Sequence, residues 1–171
     1  MSLQAARPLD PWRWMGAPAL ICLAATLLLG LPFRLLTLQL PEPVFAMICV
    51  FSWAVIRPSI LSPVVLLLIG LVLDLLWGTP FGLWGLSMLV GYGLTLAMRA
   101  MMTGQSRMMM WVWYVGVTGV VLVAGFLFMM LHTGATPNLV GLIWQLLATS
   151  LLYPFAHRLI DRFDDADVRF R

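Results

Sequence analysis

The sequence predicts an all-α integral membrane protein, a compact bundle of six transmembrane helices. Three observations lead there. Hydrophobic residues make up 62% of the chain and charged residues only 10%, against about 25% charged in an ordinary soluble domain. Mean hydropathy is +0.98. The apolar residues fall into runs punctuated by Pro, Gly and Arg, and 171 residues leave room for about six short spans.

The runs follow one another with little between them. Met1–Trp14 is polar and broken by Pro8 and Pro11, without the charged, apolar, small-residue order of a cleaved leader. Span one is placed at 15–36, spanning Pro18 and Pro32. Span two, 44–56, is short and bracketed by Pro41, Pro43 and Pro58. Span three, 60–77, stops at Gly78-Thr79-Pro80, and span four covers 81–98. Span five is 108–131, and span six is 138–155 with Pro154 near its end. Several runs are shorter than the ~20 residues an upright span needs. Short spans of this kind belong to bundles in which some helices are packed by neighbours rather than by lipid. Residues 158–171 read as an amphipathic cytoplasmic tail, with Leu159 and Phe163 on one face.

Charge orients the bundle. All ten basic residues are arginine. With the N-terminus inside, Arg7, Arg13, Arg57, Arg99, Arg107, Arg158, Arg162, Arg169 and Arg171 are cytoplasmic, and only Arg34 is outside. That asymmetry is the positive-inside pattern, and it requires an even number of spans with both termini cytoplasmic. It also accounts for the pI of 9.4 without nucleic acid. Trp12, Trp14, Trp77, Trp84, Trp111 and Trp113 mostly stand at span ends, where interfacial aromatics gather.

Residues for catalysis are scarce. Cys22 and Cys49 read as small core residues, and His132 and His157 fall on opposite sides of the membrane. No metal-ligand spacing or phosphate-cradling loop appears, so neither enzyme nor cofactor is expected. Asp74 stands out as the one carboxylate inside a span, where a charge costs about 2.5–3.5 kcal/mol on insertion scales. Two roles are open to it. One is structural, accepting from the backbone N–H groups that begin span four near Phe81 and Gly82. The other is contact with a partner or ligand. Gln145, in a stripe with Gly141 and Thr149, is a further candidate neighbour at similar depth. Met98, Met101, Met102, Met108, Met109 and Met110 flank the loop between spans four and five as core filler or as an adaptable surface.

Gly70-Leu-Val-Leu-Asp74-Leu-Leu-Trp-Gly78-Thr-Pro80-Phe-Gly82 resembles the signature of the rod shape-determining MreD family. Trp53-Ala-Val-Ile-Arg57-Pro58 resembles that family's tryptophan followed by a basic-proline turn, while Pro41-Glu42-Pro43 departs from its usual proline-aspartate. The resemblance implies a non-enzymatic inner-membrane scaffold of the cell-elongation machinery. Its direct partner would be the bitopic protein MreC, alongside MreB, RodA and the transpeptidase partner of RodA, organising lateral peptidoglycan synthesis. The family is similar in fold to the substrate-binding subunits of energy-coupling-factor transporters. A small-molecule-binding subunit of that type is therefore the alternative, with Asp74, Gln145, Tyr92, Thr95 and Thr118 as its polar candidates. The site residues expected from motif and resemblance together are Gly70, Asp74, Gly78, Pro80, Gly82, Gln145, Trp53, Arg57 and Pro58.

Overall fold

Apolar sequence without β-branched alternation gives helices throughout. The computed structural model describes residues 15–30, 43–56, 58–102, 104–134 and 138–168, with side chains described except at 29–30 and 163–168. The helices are α1 (Ala17–Gly30), α2 (Ala46–Ile56), α3 (Leu61–Trp77), α4 (Leu83–Met102), α5 (Arg107–Thr133), α6 (Leu139–Ser150) and α7 (Tyr153–Val168). There is no strand among the described residues. Three stretches are long and apolar enough to cross a membrane: α4, α5 and the 24 residues Leu139–Arg162. Arg7, Arg13, Arg34, Arg57, Arg169 and Arg171 lie outside the described residues.

The shortest helix is the centre of the molecule. α2 has 11 residues, about 16 Å at 1.5 Å per residue, roughly half a bilayer core. Every residue from Ala46 to Ala54 is buried. Cys49 meets Cys22 of α1 with sulfurs 3.5 Å apart. Phe51 sits edge-on to Tyr114 of α5 at 5.4 Å. Ser52 Oγ donates to the Ala156 carbonyl of α7 at 3.3 Å.

A buried helix still has unpaired backbone groups at each end, and these are costly away from water. Other helices supply the partners. Val44 N–H, just before α2, donates to Thr149 Oγ1 at 3.1 Å. At the other end Arg99 of α4 donates from Nε to the Val55 carbonyl at 3.0 Å and from Nη2 to the Ile56 carbonyl at 3.3 Å. Arg99, expected from the sequence only as an orientation signal, thus closes the end of α2.

α3 and α4 approach backbone to backbone. A Cβ on Gly70 would overlap the Cα and N of Gly85, so the close approach requires glycine at position 70, as close helix contacts in lipid commonly do. Gly91 meets Val121 of α5 in the same way, although there the neighbour is a side chain.

The sixth apolar run is broken. α6 ends at Ser150, a turn follows at Leu151–Leu152, and α7 starts at Tyr153. Pro154 is the cause. It has no N–H to offer the Ser150 carbonyl four residues back. Trp111 Nε1 takes that carbonyl instead at 3.4 Å, and Tyr114 Oη takes the Thr149 carbonyl at 3.3 Å. Pro154 thus opens a helix rather than closing one. The amphipathic segment begins five residues before the expected 158: Tyr153, Ala156 and Ile160 are buried while Arg158, Asp161 and Arg162 are exposed.

Tyr153 Oη donates to the Arg107 carbonyl at 3.0 Å. This places the start of α7 at the Arg99–Arg107 end of the bundle, opposite the α3–α4 turn. Large apolar side chains line the outside, among them Leu61, Leu68 and Leu75 on α3, Val120 and Leu127 on α5, and Ile143 and Leu147 on α6. A surface this apolar fits a lipid surround, not water.

Candidate functional site: a carboxylate-locked turn

The turn between α3 and α4 is assembled around Asp74, which is 1% exposed. α3 stops at Gly78, whose φ of 62° is left-handed and favours glycine. The Gly78 and Thr79 N–H groups both donate to the Asp74 carbonyl, the latter at 3.0 Å. The Asp74 carboxylate then reaches across the turn. Oδ1 accepts from Thr79 Oγ1 at 2.7 Å and from the Trp84 N–H at 3.1 Å. Oδ2 accepts from the Gly82 N–H at 2.8 Å.

Two of these donors are unpaired N–H groups at the start of α4. Asp74 thus caps the helix that follows its own, and its charge faces that helix's positive end. Gly82 holds φ at 90°, which aims its N–H inward at the carboxylate. Pro80 sits at the bend, and its carbonyl accepts from Leu83 N–H at 3.1 Å. The ring of Trp84 packs on Trp77 with centroids 4.9 Å apart. Trp84 is buried, unlike an interfacial belt residue.

The remaining candidates are distributed around this turn and away from it. Gly70 lies one turn before Asp74 and seals α3 to α4. Gln145 lines a cavity of about 300 Å³ between the turn and α5 and α6, together with Thr79, Trp84, Leu122 and Asn138. Asp74 does not line it; its oxygens point into the turn. The Gly141, Gln145 and Thr149 stripe divides, the first two facing the cavity and Thr149 serving α2. Trp53 is buried in α2, Pro58 is exposed beyond its end, and Arg57 lies outside the described residues.

Of the polar residues weighed for ligand binding, Thr95 and Thr118 spend their hydroxyls on their own helices, bonding the Gly91 carbonyl at 2.8 Å and the Tyr114 carbonyl at 2.7 Å. Tyr92 is buried in the core. His132 ends α5 and His157 lies in α7, at opposite ends of the bundle. The methionines divide too: Met102 is buried while Met101 and Met108 are exposed.

Sequence reasoning missed the roles of Thr79 and Trp111. Threonine five residues after a buried aspartate, and tryptophan facing a proline break, were the available signals. Chemically the site is a joint: it orients two helices and keeps the carboxylate buried between them. No family model matches the chain, and neither a curated protein nor a solved structure does.

Proposed function

We propose that this protein is a non-enzymatic scaffold of the MreD type in the bacterial inner membrane, with six spans and both termini cytoplasmic. In this reading it binds the bitopic protein MreC and helps organise wall synthesis with MreB, RodA and the transpeptidase partner of RodA. One observation carries the proposal. Each distinctive residue of the segment Gly70–Gly82, on which the resemblance rests, has a defined place in one joint. A scaffold needs such rigidity, because it works by holding surfaces in fixed relation.

Asp74 then acts through the fold and not by touching the partner. The surface for a single-span partner lies elsewhere. A Cβ on Gly93 of α4, or on Gly116 or Gly119 of α5, would meet no neighbouring helix or side chain within 4 Å, so their small size serves no packing inside the bundle. Outward glycines let another helix approach closely in lipid. Gly91 against Val117 and Val121 puts the two stripes at similar depth.

The cavity beside Gln145 favours the transporter-subunit alternative, since ligand sites are apolar clefts with a few convergent polar groups. Among the five polar candidates for that reading only Gln145 lines it, which ranks it second.

The test is co-purification from native membranes in mild detergent with mass spectrometry, comparing wild type with Gly116→Leu and Gly119→Leu. The scaffold reading expects a single-span periplasmic protein and wall synthases to be retained by wild type and depleted at least several-fold by the variants. Recovery of a paired ATPase with a coupling membrane protein would overturn it in favour of the transporter subunit. Undiminished recovery by both leucine variants would remove the glycine stripes as the docking face.

A further inference from the structure

An apolar groove opens at the arginine end of the bundle, among α1, α2 and α7. Its volume is about 310 Å³, and Pro18, Ile21, Ala25, Ile48, Phe155 and Arg162 are among the residues that line it. Ile21 and Phe155 are 67% and 56% exposed, so the groove is open from outside. The α7 contributors Phe155, Leu159 and Arg162 form one helical face at i, i+4 and i+7.

Charge distinguishes this groove from the rest of the apolar surface. Among the described residues neither Arg158 nor Arg162 is in an ion pair. The neighbouring Asp161 lies instead 3.4 Å from His157. The Arg158 guanidinium is 5.9 Å from the centre of the Phe155 ring, on the wall of the groove. Two cations without an acidic partner among the described side chains therefore stand beside an apolar channel. An arginine in this position binds phosphate through a planar fork. A site of this build, basic at the interface and apolar toward the membrane interior, matches an amphiphile with an anionic head.

We propose that the groove binds one anionic phospholipid of the arginine-side leaflet. An acyl chain would lie along Pro18, Ile21, Ala25 and Ile48, and the phosphate would sit at Arg162 with Arg158 in support. The lipid would fasten α1 and α7 to the central helix α2.

Native mass spectrometry of the full chain in mild detergent tests this, with phosphatidylglycerol and phosphatidylcholine as competing probes. Wild type should retain one phosphatidylglycerol in preference to phosphatidylcholine. Arg162→Ala should weaken that retention about fivefold, the equivalent of ~1 kcal/mol for one basic residue near an anionic surface. Ile21→Trp, at an exposed position, should fill the groove and weaken both lipids. Arg107→Ala, at the same end but outside the groove, should change nothing. Equal retention of the two lipids, a lipid-free monomer or a lipid-free dimer would overturn the proposal. So would an Arg107→Ala effect as large as that of Arg162→Ala, which would mark general surface charge and not a site.

Discussion

Replacing Asp74 tests the locked turn directly, because the structure predicts an order as well as a loss. Alanine strands three donors, the Thr79 hydroxyl and the Gly82 and Trp84 N–H groups. An abandoned buried donor costs about 1–3 kcal/mol. Alanine also removes the cost of burying a charge, so the net is not the full sum. Breaking one side of a buried charged network costs about 3–5 kcal/mol, and that is the expectation for Asp74→Ala. Asparagine keeps the shape. Its oxygen can hold the Oδ1 position, with Thr79 and Trp84, but its amide nitrogen then faces the Gly82 N–H, donor against donor. One lost bond gives about 1–3 kcal/mol. Thr79→Val leaves both N–H bonds intact and should cost least. The assay is titration with sodium dodecyl sulfate in mild-detergent micelles, followed by tryptophan fluorescence, since Trp77 and Trp84 pack edge-on beside the turn. The unfolding midpoint should fall in the order Thr79→Val, Asp74→Asn, Asp74→Ala. A wild-type midpoint for Asp74→Ala would refute the lock.

Further outcomes follow from the same packing. Gly70→Ala must push α3 from the Gly85 backbone and should cost about 1–3 kcal/mol, whereas Gly93→Ala meets open space and should cost nothing, gaining up to about 1 kcal/mol in helix propensity; equal midpoints for the two contradict the α3–α4 contact. Arg99→Met strips the Val55 and Ile56 carbonyls of their donors and should destabilise by about 1–3 kcal/mol, with Arg99→Lys closer to wild type in the same titration. Oxidation with copper phenanthroline should join Cys22 to Cys49, whose sulfurs are 3.5 Å apart; two thiols still alkylated after unfolding would mean that α1 does not lie on α2.

Composition made the helical, membrane-like character legible, because nothing else tolerates so few charges. The α3–α4 turn was legible in outline, since Gly78 and Pro80 mark a stop and Asp74 needed donors nearby. The identity of those donors was only partly readable: backbone N–H groups were foreseeable from the helix start, but the Thr79 hydroxyl was not singled out. In the sequence Pro154 marks an ending, although it opens α7, since hydropathy carries straight through Leu151 and Leu152. Two of the ligand candidates were harder to read for a different reason. Thr95 and Thr118 look like available polar groups in a span, yet a threonine in a helix bonds its own backbone four residues back whenever nothing better is near. Long-range pairs such as Val44 with Thr149 leave no trace in one sequence.

The encased helix α2 has a consequence for biogenesis. Eleven residues are too few for the insertion machinery to accept as a span by hydrophobicity alone. The partners of α2 arrive late: Arg99 follows its carboxyl end by more than 40 residues, and Thr149 and Ala156 come more than 100 residues after the positions they bind. During synthesis the carboxyl end of α2 therefore waits for Arg99, and its amino end and Ser52 wait longer, until Thr149 and Ala156 have left the ribosome. Truncated chains ending before α6 should leave it open to quality-control proteases. Completion of the last helix is the event that makes the molecule durable.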